Sequence, residues 1–284
     1  MAKLIPLGVA TLAALLGAAV PSVEGAPADG VTLAPHRAFY DLKLARSNGN
    51  RGISSVHGRI LYDFSGSACD GYELKFRQIS ELDSLETTDS VSDLNSTTWE
   101  DGEAKRFRFN SENKVNQEPG DLVAGRAERG KDAVAVTLQK PAAKTFRIPA
   151  GAVFPTEHMR RIIAAAKAGK KVLDLVVYDG SDTGEKLYNT LTVIGRPIAP
   201  GEKQPSDVSA KAPELAKLAR WPVTVSYFER KEESDRSGEQ EPVYSINFEL
   251  YENGISRALM LNYADFSISG ELTSLEVRKA KPCP

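Results

Sequence analysis

The stretch Phe154-Pro155-Thr156-Glu157-His158-Met159-Arg160-Arg161-Ile162-Ile163-Ala164-Ala165-Ala166-Lys167-Ala168-Gly169-Lys170-Lys171 decides how this chain is read. Met159, Ile162, Ile163 and Ala166 recur at i, i+3, i+4 and i+7, so they form one narrow apolar face of a helix. Arg160, Arg161 and Lys167 lie off that face. Pro155 stops any helix entering from upstream, and Thr156 is the expected N-cap. Glu157 stands at the positive end of the helix dipole, with Lys167, Lys170 and Lys171 near the negative end, and Gly169 offers a stop. The rest of the mature chain reads almost entirely as strands. A lone amphipathic helix among strands must bury its stripe on a sheet or inside one.

Outward from this helix the hydrophobic period is two. Upstream, Tyr40, Leu42 and Leu44 share a face, then Ile60, Tyr62 and Phe64, then Tyr72, Leu74 and Phe76. Asn48-Gly49 and residues 65–71 supply turns. Residues 85–99 are polar and rich in Ser and Thr, suggesting an exposed strand. Asp101-Gly102 joins it as a hairpin to 105–109, where Phe107 and Phe109 point to one side. Further strands are predicted at 122–128, 134–139 and 144–148. Downstream, 172–178 and 187–194 are apolar on both faces, as expected where a helix or second layer covers one side. The loop 179–185 makes them a hairpin. A polar linker at about 197–212 is expected to be exposed, and a short helix follows at 213–219. The chain closes with strands at 223–229, 243–251, 255–263 and 266–278, with Asn253-Gly254 as a turn. About nine strands precede the long helix, in a meander of about a dozen. So many strands must close into a barrel, curl, or stack as two sheets. The segment after the linker is small, which favours one continuous sheet and a single domain over 29–284.

The 284 residues carry 36 Lys plus Arg against 38 Asp plus Glu. The charges interleave, so no basic field points to nucleic acid. Lys3, the apolar run Leu4 to Val20, and the small residues Ser22, Gly25, Ala26 and Ala28 read as a signal peptide over 1–28, cut after Gly25 or Ala28. Pro6 and Pro21 argue against an uncleaved anchor. No other stretch approaches the length needed to span a bilayer, so the mature chain is expected to be exported, soluble and not membrane-spanning.

The cysteines, Cys69 and Cys283, are too far apart for a redox motif, and with no nearby histidine cluster they make a poor zinc site. An oxidising compartment permits a disulfide between them; the other reading is two unrelated thiols, one on a tail. Free thiols rarely persist in exported proteins, which favours the bond. It would staple the last strand to an early hairpin and stabilise the fold by about 5 kcal/mol on chain-entropy grounds.

Signs of catalysis are poor. His36, His57 and His158 lack the spacing of metal ligands, and no metal site or cofactor is expected. His158 follows Glu157 directly, and adjacent helix residues point in different directions, so local packing is expected. Asp182-Thr183-Gly184 spells the aspartic-protease triplet but sits in a polar hairpin loop and reads as a turn. Trp99-Glu100-Asp101-Gly102 pairs an aromatic ring with two acids, as a sugar site does. Adjacent strand residues point to opposite faces, however, so Glu100 and Asp101 are poorly placed to act across one cleft. No nucleophile elbow, phosphate loop or dinucleotide fingerprint is present. The chain is expected not to be an enzyme.

Several stretches together resemble the EipB family of periplasmic cell-envelope integrity proteins. They are Cys69-Asp70-Gly71-Tyr72 with Lys75-Phe76-Arg77-Gln78, Thr97-Thr98-Trp99-Glu100, and Lys140-Pro141 through Lys144-Thr145-Phe146. More specific are Val153-Phe154-Pro155-Thr156-Glu157-His158-Met159 and Val177-Tyr178-Asp179-Gly180-Ser181-Asp182 with Gly184-Glu185-Lys186. Cys283 matches the family's second cysteine, and the resemblance covers essentially the whole mature chain. It implies a mainly β fold, a spiral-like, incompletely closed β-barrel of long antiparallel strands with one central amphipathic helix and minor short helices. It also implies a Cys69–Cys283 disulfide and a non-enzymatic role in the periplasm, with an overall shape similar to carriers of lipids and lipoproteins. The expected partner is a lipid or other hydrophobic ligand held in the curl of the sheet, or a periplasmic protein. Met159, Ile162, Ile163 and Ala166 are expected to pack on the concave or end surface, making the helix a plug or lid.

Overall fold

A computed structural model describes residues 30–47, 53–84, 90–230, 240–280 and 283. The expected signal peptide and the expected Asn48-Gly49 turn lie outside these residues. Fourteen strands form one sheet: β1 (His36–Ser47), β2 (Ile53–Ser67), β3 (Gly71–Ser84), β4 (Ser90–Glu100), β5 (Arg106–Val115), β6 (Leu122–Arg129), β7 (Ala133–Lys140), β8 (Lys144–Pro149), β9 (Val172–Val177), β10 (Tyr188–Ile194), β11 (Arg220–Glu229), β12 (Tyr244–Tyr251), β13 (Ser256–Asn262) and β14 (Phe266–Val277). Helix α1 (Pro155–Lys167) separates β8 from β9, and α2 (Pro213–Ala216) precedes β11. Eight strands, not nine, come before α1.

The order across the sheet is β8-β7-β6-β5-β4-β3-β2-β1-β14-β13-β12-β11-β10-β9. Two antiparallel meanders therefore join where the first strand meets the last, with His36 opposite Val277 on one side and Phe64 on the other. The two edge strands, β8 and β9, flank α1 in sequence and are not paired with each other, so the barrel is incompletely closed. The connector that follows β8 meets the end of β9 through one parallel bridge, in which the Val153 N–H donates to the Val176 carbonyl at 2.8 Å and the Tyr178 N–H to the Val153 carbonyl at 2.9 Å.

The inward residues make two main cores, beside a small third cluster of Leu215, Tyr251 and Ile255. Tyr40, Leu42, Ile60, Phe64 and Tyr72 meet Val223, Val225, Leu250, Leu261 and Ile268 from the other meander, together with Ile162, Ile163, Ala165 and Ala166 of α1. Phe107, Phe109, Val136, Leu138 and Ile148 of β5 to β8 close over Phe154 and Tyr178. The second core is tight at Gly180, where a Cβ atom would lie 2.4 Å from the Phe109 ring. A φ of +69° there also favours glycine.

Two expectations need correction. Val172, Leu191 and Val193 are exposed, because α1 covers only the inward side of β9 and β10 and nothing described covers the outer side. The linker at 197–212 is not simply exposed: Ile198, Asp207 and Ala210 are buried. Ile198 exchanges backbone hydrogen bonds with Arg220, and Asp207 meets Arg257 in an ion pair whose side chains are both 5 % exposed. Glu249 links that pair to Arg220, accepting from both arginines at 2.6 Å. This short-range network pins a polar segment that composition alone reads as solvent-facing.

Cys69, in the β2–β3 turn, is bonded to Cys283. Asp63 of β2 reinforces the same join, accepting from Arg37 at 2.6 Å and from Arg278 at 2.7 Å.

Candidate functional site

Helix α1 shapes the interior, and its start is built differently from the expectation. The N-cap is Phe154 with no side-chain capping bond, and Pro155 fills the first helical position. Proline is pre-organised for that position, which displaces the start upstream of Thr156. The free donors go to Glu100 at the end of β4: its two carboxylate oxygens accept from the Thr156 and Glu157 N–H groups, each at 2.8 Å. Burial pushes the Glu100 carboxyl up to about 8, against the pull of these donors. Glu157 pairs with Arg129 at 2.8 Å and with Arg161 at 2.5 Å. Arg129 also donates to the Ala150 and Ala152 carbonyls and lies 4.9 Å over the Phe154 ring, fixing the approach to the helix. The helix ends in a Schellman motif: Gly169 at φ +74° donates to the Ala166 carbonyl and Lys170 to the Ala165 carbonyl.

Ile162, Ile163 and Ala166 are buried in the first core, and Met159 is partly buried against it. Arg160 was read as lying off the apolar face, yet it is buried, with Nη1 donating to the Gly102 carbonyl at 2.8 Å. The helix is enclosed on more than one side, because β4–β5 covers its first turn.

Between α1 and the concave sheet lies a cavity of about 320 Å³. Apolar side chains from both meanders dominate it, among them Ile60, Leu74, Phe76, Val225, Ile246 and Leu261, with Met159 and Ile162 from the helix. Polar groups are set among them: His36, Tyr40, Tyr62, Gln78, His158, Asp179, Tyr227 and Tyr244. Some are satisfied within the protein. The Tyr40 hydroxyl donates to the Ser256 carbonyl at 2.9 Å, and burial pushes its pKa up to about 12. His36 Nδ1 lies 2.8 Å from the Ala34 carbonyl, and its ring stacks on Tyr62. His158 is different. Its ring is 4 % exposed and Nε2 has no hydrogen-bond partner. Burial, followed by the nearby Arg161 charge, lowers its pKa to about 4, so the ring is neutral near pH 7.

A row of aromatic rings crosses the second meander. Tyr188 meets Tyr227 edge-on at 6.1 Å, Tyr227 meets Tyr244 at 5.9 Å, Tyr244 meets Tyr263 at 5.3 Å, and Tyr263 stacks on Phe266 at 4.8 Å. The sequence pattern marks neither these tyrosines as a row nor Asp179 as a cavity residue, placing Asp179 in the family-like stretch Val177 to Asp182. The available signal was a tyrosine beside each hairpin turn of β10 to β13.

The tempting acids and histidines do not assemble into one centre. Glu100 faces α1, whereas Asp101 accepts from the Lys105 N–H and pairs with Arg106. Trp99 lies beneath Arg106 and Arg108, at 5.5 and 4.5 Å. His57 is exposed on β2, apart from the cavity that His36 and His158 line. Asp182-Thr183-Gly184 is a turn, with the Gly184 N–H donating to Ser181 and Asp182 paired to Lys186. Among the described residues no group of three or more His, Cys, Asp or Glu is arranged to hold a metal ion, and no helix is long and apolar enough to cross a membrane.

A family model described as EipB-like matches residues 27–279. The cell envelope integrity protein EipB of Brucella abortus (strain 2308) is 39% identical over 250 residues, covering 88% of this chain and 86% of that protein. A crystal structure of a β-barrel-like protein from Brucella abortus, of a domain of unknown function, superposes with a TM-score of 0.79 at 37% identity. That match covers 88% of this chain and all of the other. A match of this extent, to a chain that folds the same way, leaves one assignment: the protein belongs to the EipB-like family.

Proposed function

We propose that this chain is a non-enzymatic periplasmic protein that maintains cell-envelope integrity by holding a hydrophobic ligand inside its curled sheet. The observation that carries the ligand reading is the cavity of about 320 Å³ between α1 and the concave face. Its volume falls at the lower end of the roughly 300–1,000 Å³ of small-molecule sites, and its mix of apolar wall and few polar groups is typical of them. The envelope role draws on the name of the Brucella relative. The Cys69–Cys283 disulfide favours an oxidising compartment, which the periplasm supplies. In this reading α1 is the plug, and carriage of a lipid or lipoprotein chain is the narrower form of the role. A protein partner is the second reading. It is favoured by the exposed Val172, Leu191 and Val193 beside the open edge of β9, where another strand has free backbone groups to pair with.

The test is titration of the mature protein with a hydrophobic fluorophore such as phenylnaphthylamine. Saturable binding is expected, and it should be lost in Leu74→Trp, which fills the cavity from β3. A linear, unsaturable signal in the parent protein would overturn the ligand reading.

A further inference from the structure

The wall of the cavity is lopsided in charge. Among its described lining residues there is no lysine or arginine, and Asp179 is the sole acid. Asp179 follows β9, and its hydrogen bonds are local: Oδ1 accepts from the Ser181 N–H at 2.9 Å, with the Ser181 hydroxyl and its own backbone as further partners. Burial raises its pKa above the ordinary carboxylate value against the pull of these bonds. Burial raises the pKa of Tyr227 and Tyr188 in the aromatic row, and the Asp179 charge adds to it in the same direction. A second carboxylate or a phosphate brought into this space would face Asp179 with no cation among the lining residues to offset it, after losing its own hydration.

His158 adds an independent demand. Its buried Nε2 is unpartnered, and the ring lines the same cavity. A neutral imidazole nitrogen is either donor or acceptor, according to tautomer. A hydroxyl serves both cases, whereas a carboxylate serves only one.

We propose that Asp179 sets the specificity of the cavity, barring anionic amphiphiles and leaving the site to an apolar chain that ends in an uncharged hydroxyl. This rests on the reading of the cavity as a ligand site. Asp179→Asn keeps an acceptor oxygen for the Ser181 N–H while removing the charge, which makes it the informative variant.

The experiment is displacement of the bound fluorophore by decanol and by decanoate from neutral to alkaline pH, with the discrimination expected to grow as the raised Asp179 carboxyl ionises. The parent protein should bind decanol at least about tenfold more tightly than decanoate, and Asp179→Asn should narrow the gap to about threefold by improving decanoate alone. Equal affinities in the parent protein, or an unchanged ratio in the variant, would overturn the assignment and leave the cavity standing as a hydrophobic site. If neither compound displaces the fluorophore, the ligand reading itself falls. The comparison in the parent protein decides the matter even where the variant does not fold.

Discussion

The carboxyl group of Glu100 accepts a hydrogen bond from the backbone N–H of Thr156, 56 positions further along the chain, at 2.8 Å. Its other oxygen takes the Glu157 N–H, so one side chain at the end of β4 does the work of an N-cap for α1. With its pKa raised to about 8 the carboxyl is largely protonated near pH 7 and, like an amide, already carries a donor, so Glu100→Gln is expected to cost at most about 1 kcal/mol in urea unfolding. Glu100→Ala leaves both donors unpaired and should cost more. Unchanged unfolding midpoints in both variants would show that the helix start is held by Arg129 and Phe154 instead.

The apolar stripe of α1 is the second lever. Ile162 is 2 % exposed and belongs to the core shared by both meanders. Ile162→Asp would place an unpaired charge there and should destabilise the protein by roughly 3–5 kcal/mol. A variant that melts like the parent would mean that the helix is dispensable to the core.

The closure between the first and last strands gives a third. With 214 positions between Cys69 and Cys283, reduction should lower stability by up to about 5 kcal/mol on chain-entropy grounds. Because Arg278 still pairs with Asp63, the reduced protein should remain folded at room temperature, and Asp63→Asn should sensitise it to reductant. The check is thermal unfolding of parent and Asp63→Asn with and without reductant, where additive losses would refute the shared role of the two clamps.

Much of this fold is legible in the chain because period-two alternation with hairpin turns is a local signal. Tyr40, Leu42, Ile60 and Phe64 face inward as their spacing requires. Contacts between distant residues are not local, and there the reading runs out. Thr156 has the composition of a cap, yet Pro155 starts the helix earlier and Glu100 supplies the acceptors from another strand. Residues 197–212 look solvent-facing until Arg257 and Arg220 arrive from β13 and β11. The cavity groups come from strands far apart in sequence, and Asp179 became visible as a site residue only once β9 was placed beside β10 and β11.

The buried network in that linker sets the acid limb of stability. Burial alone would raise the pKa values of Asp207 and Glu249, but the hydrogen bonds from Arg257 to Asp207 and from Arg220 and Arg257 to Glu249 outweigh it and hold both below the ordinary carboxylate range. On acidification the unfolded chain therefore takes up protons before the folded one does. The stabilisation is complete above the ordinary carboxylate pKa and is lost as pH falls from about 5 through the depressed values. Asp207→Asn should cost roughly 2–3 kcal/mol near neutral pH, since Arg257 keeps Glu249 as its one acidic partner beside the Ser206 hydroxyl, and the acid loss should become shallower. Amide exchange at Ile198, which bonds to Arg220, should quicken in the same variant. A stability profile parallel to the parent's across this pH range would show that Asp207 contributes no titrating linkage, whatever its ion pair contributes to packing.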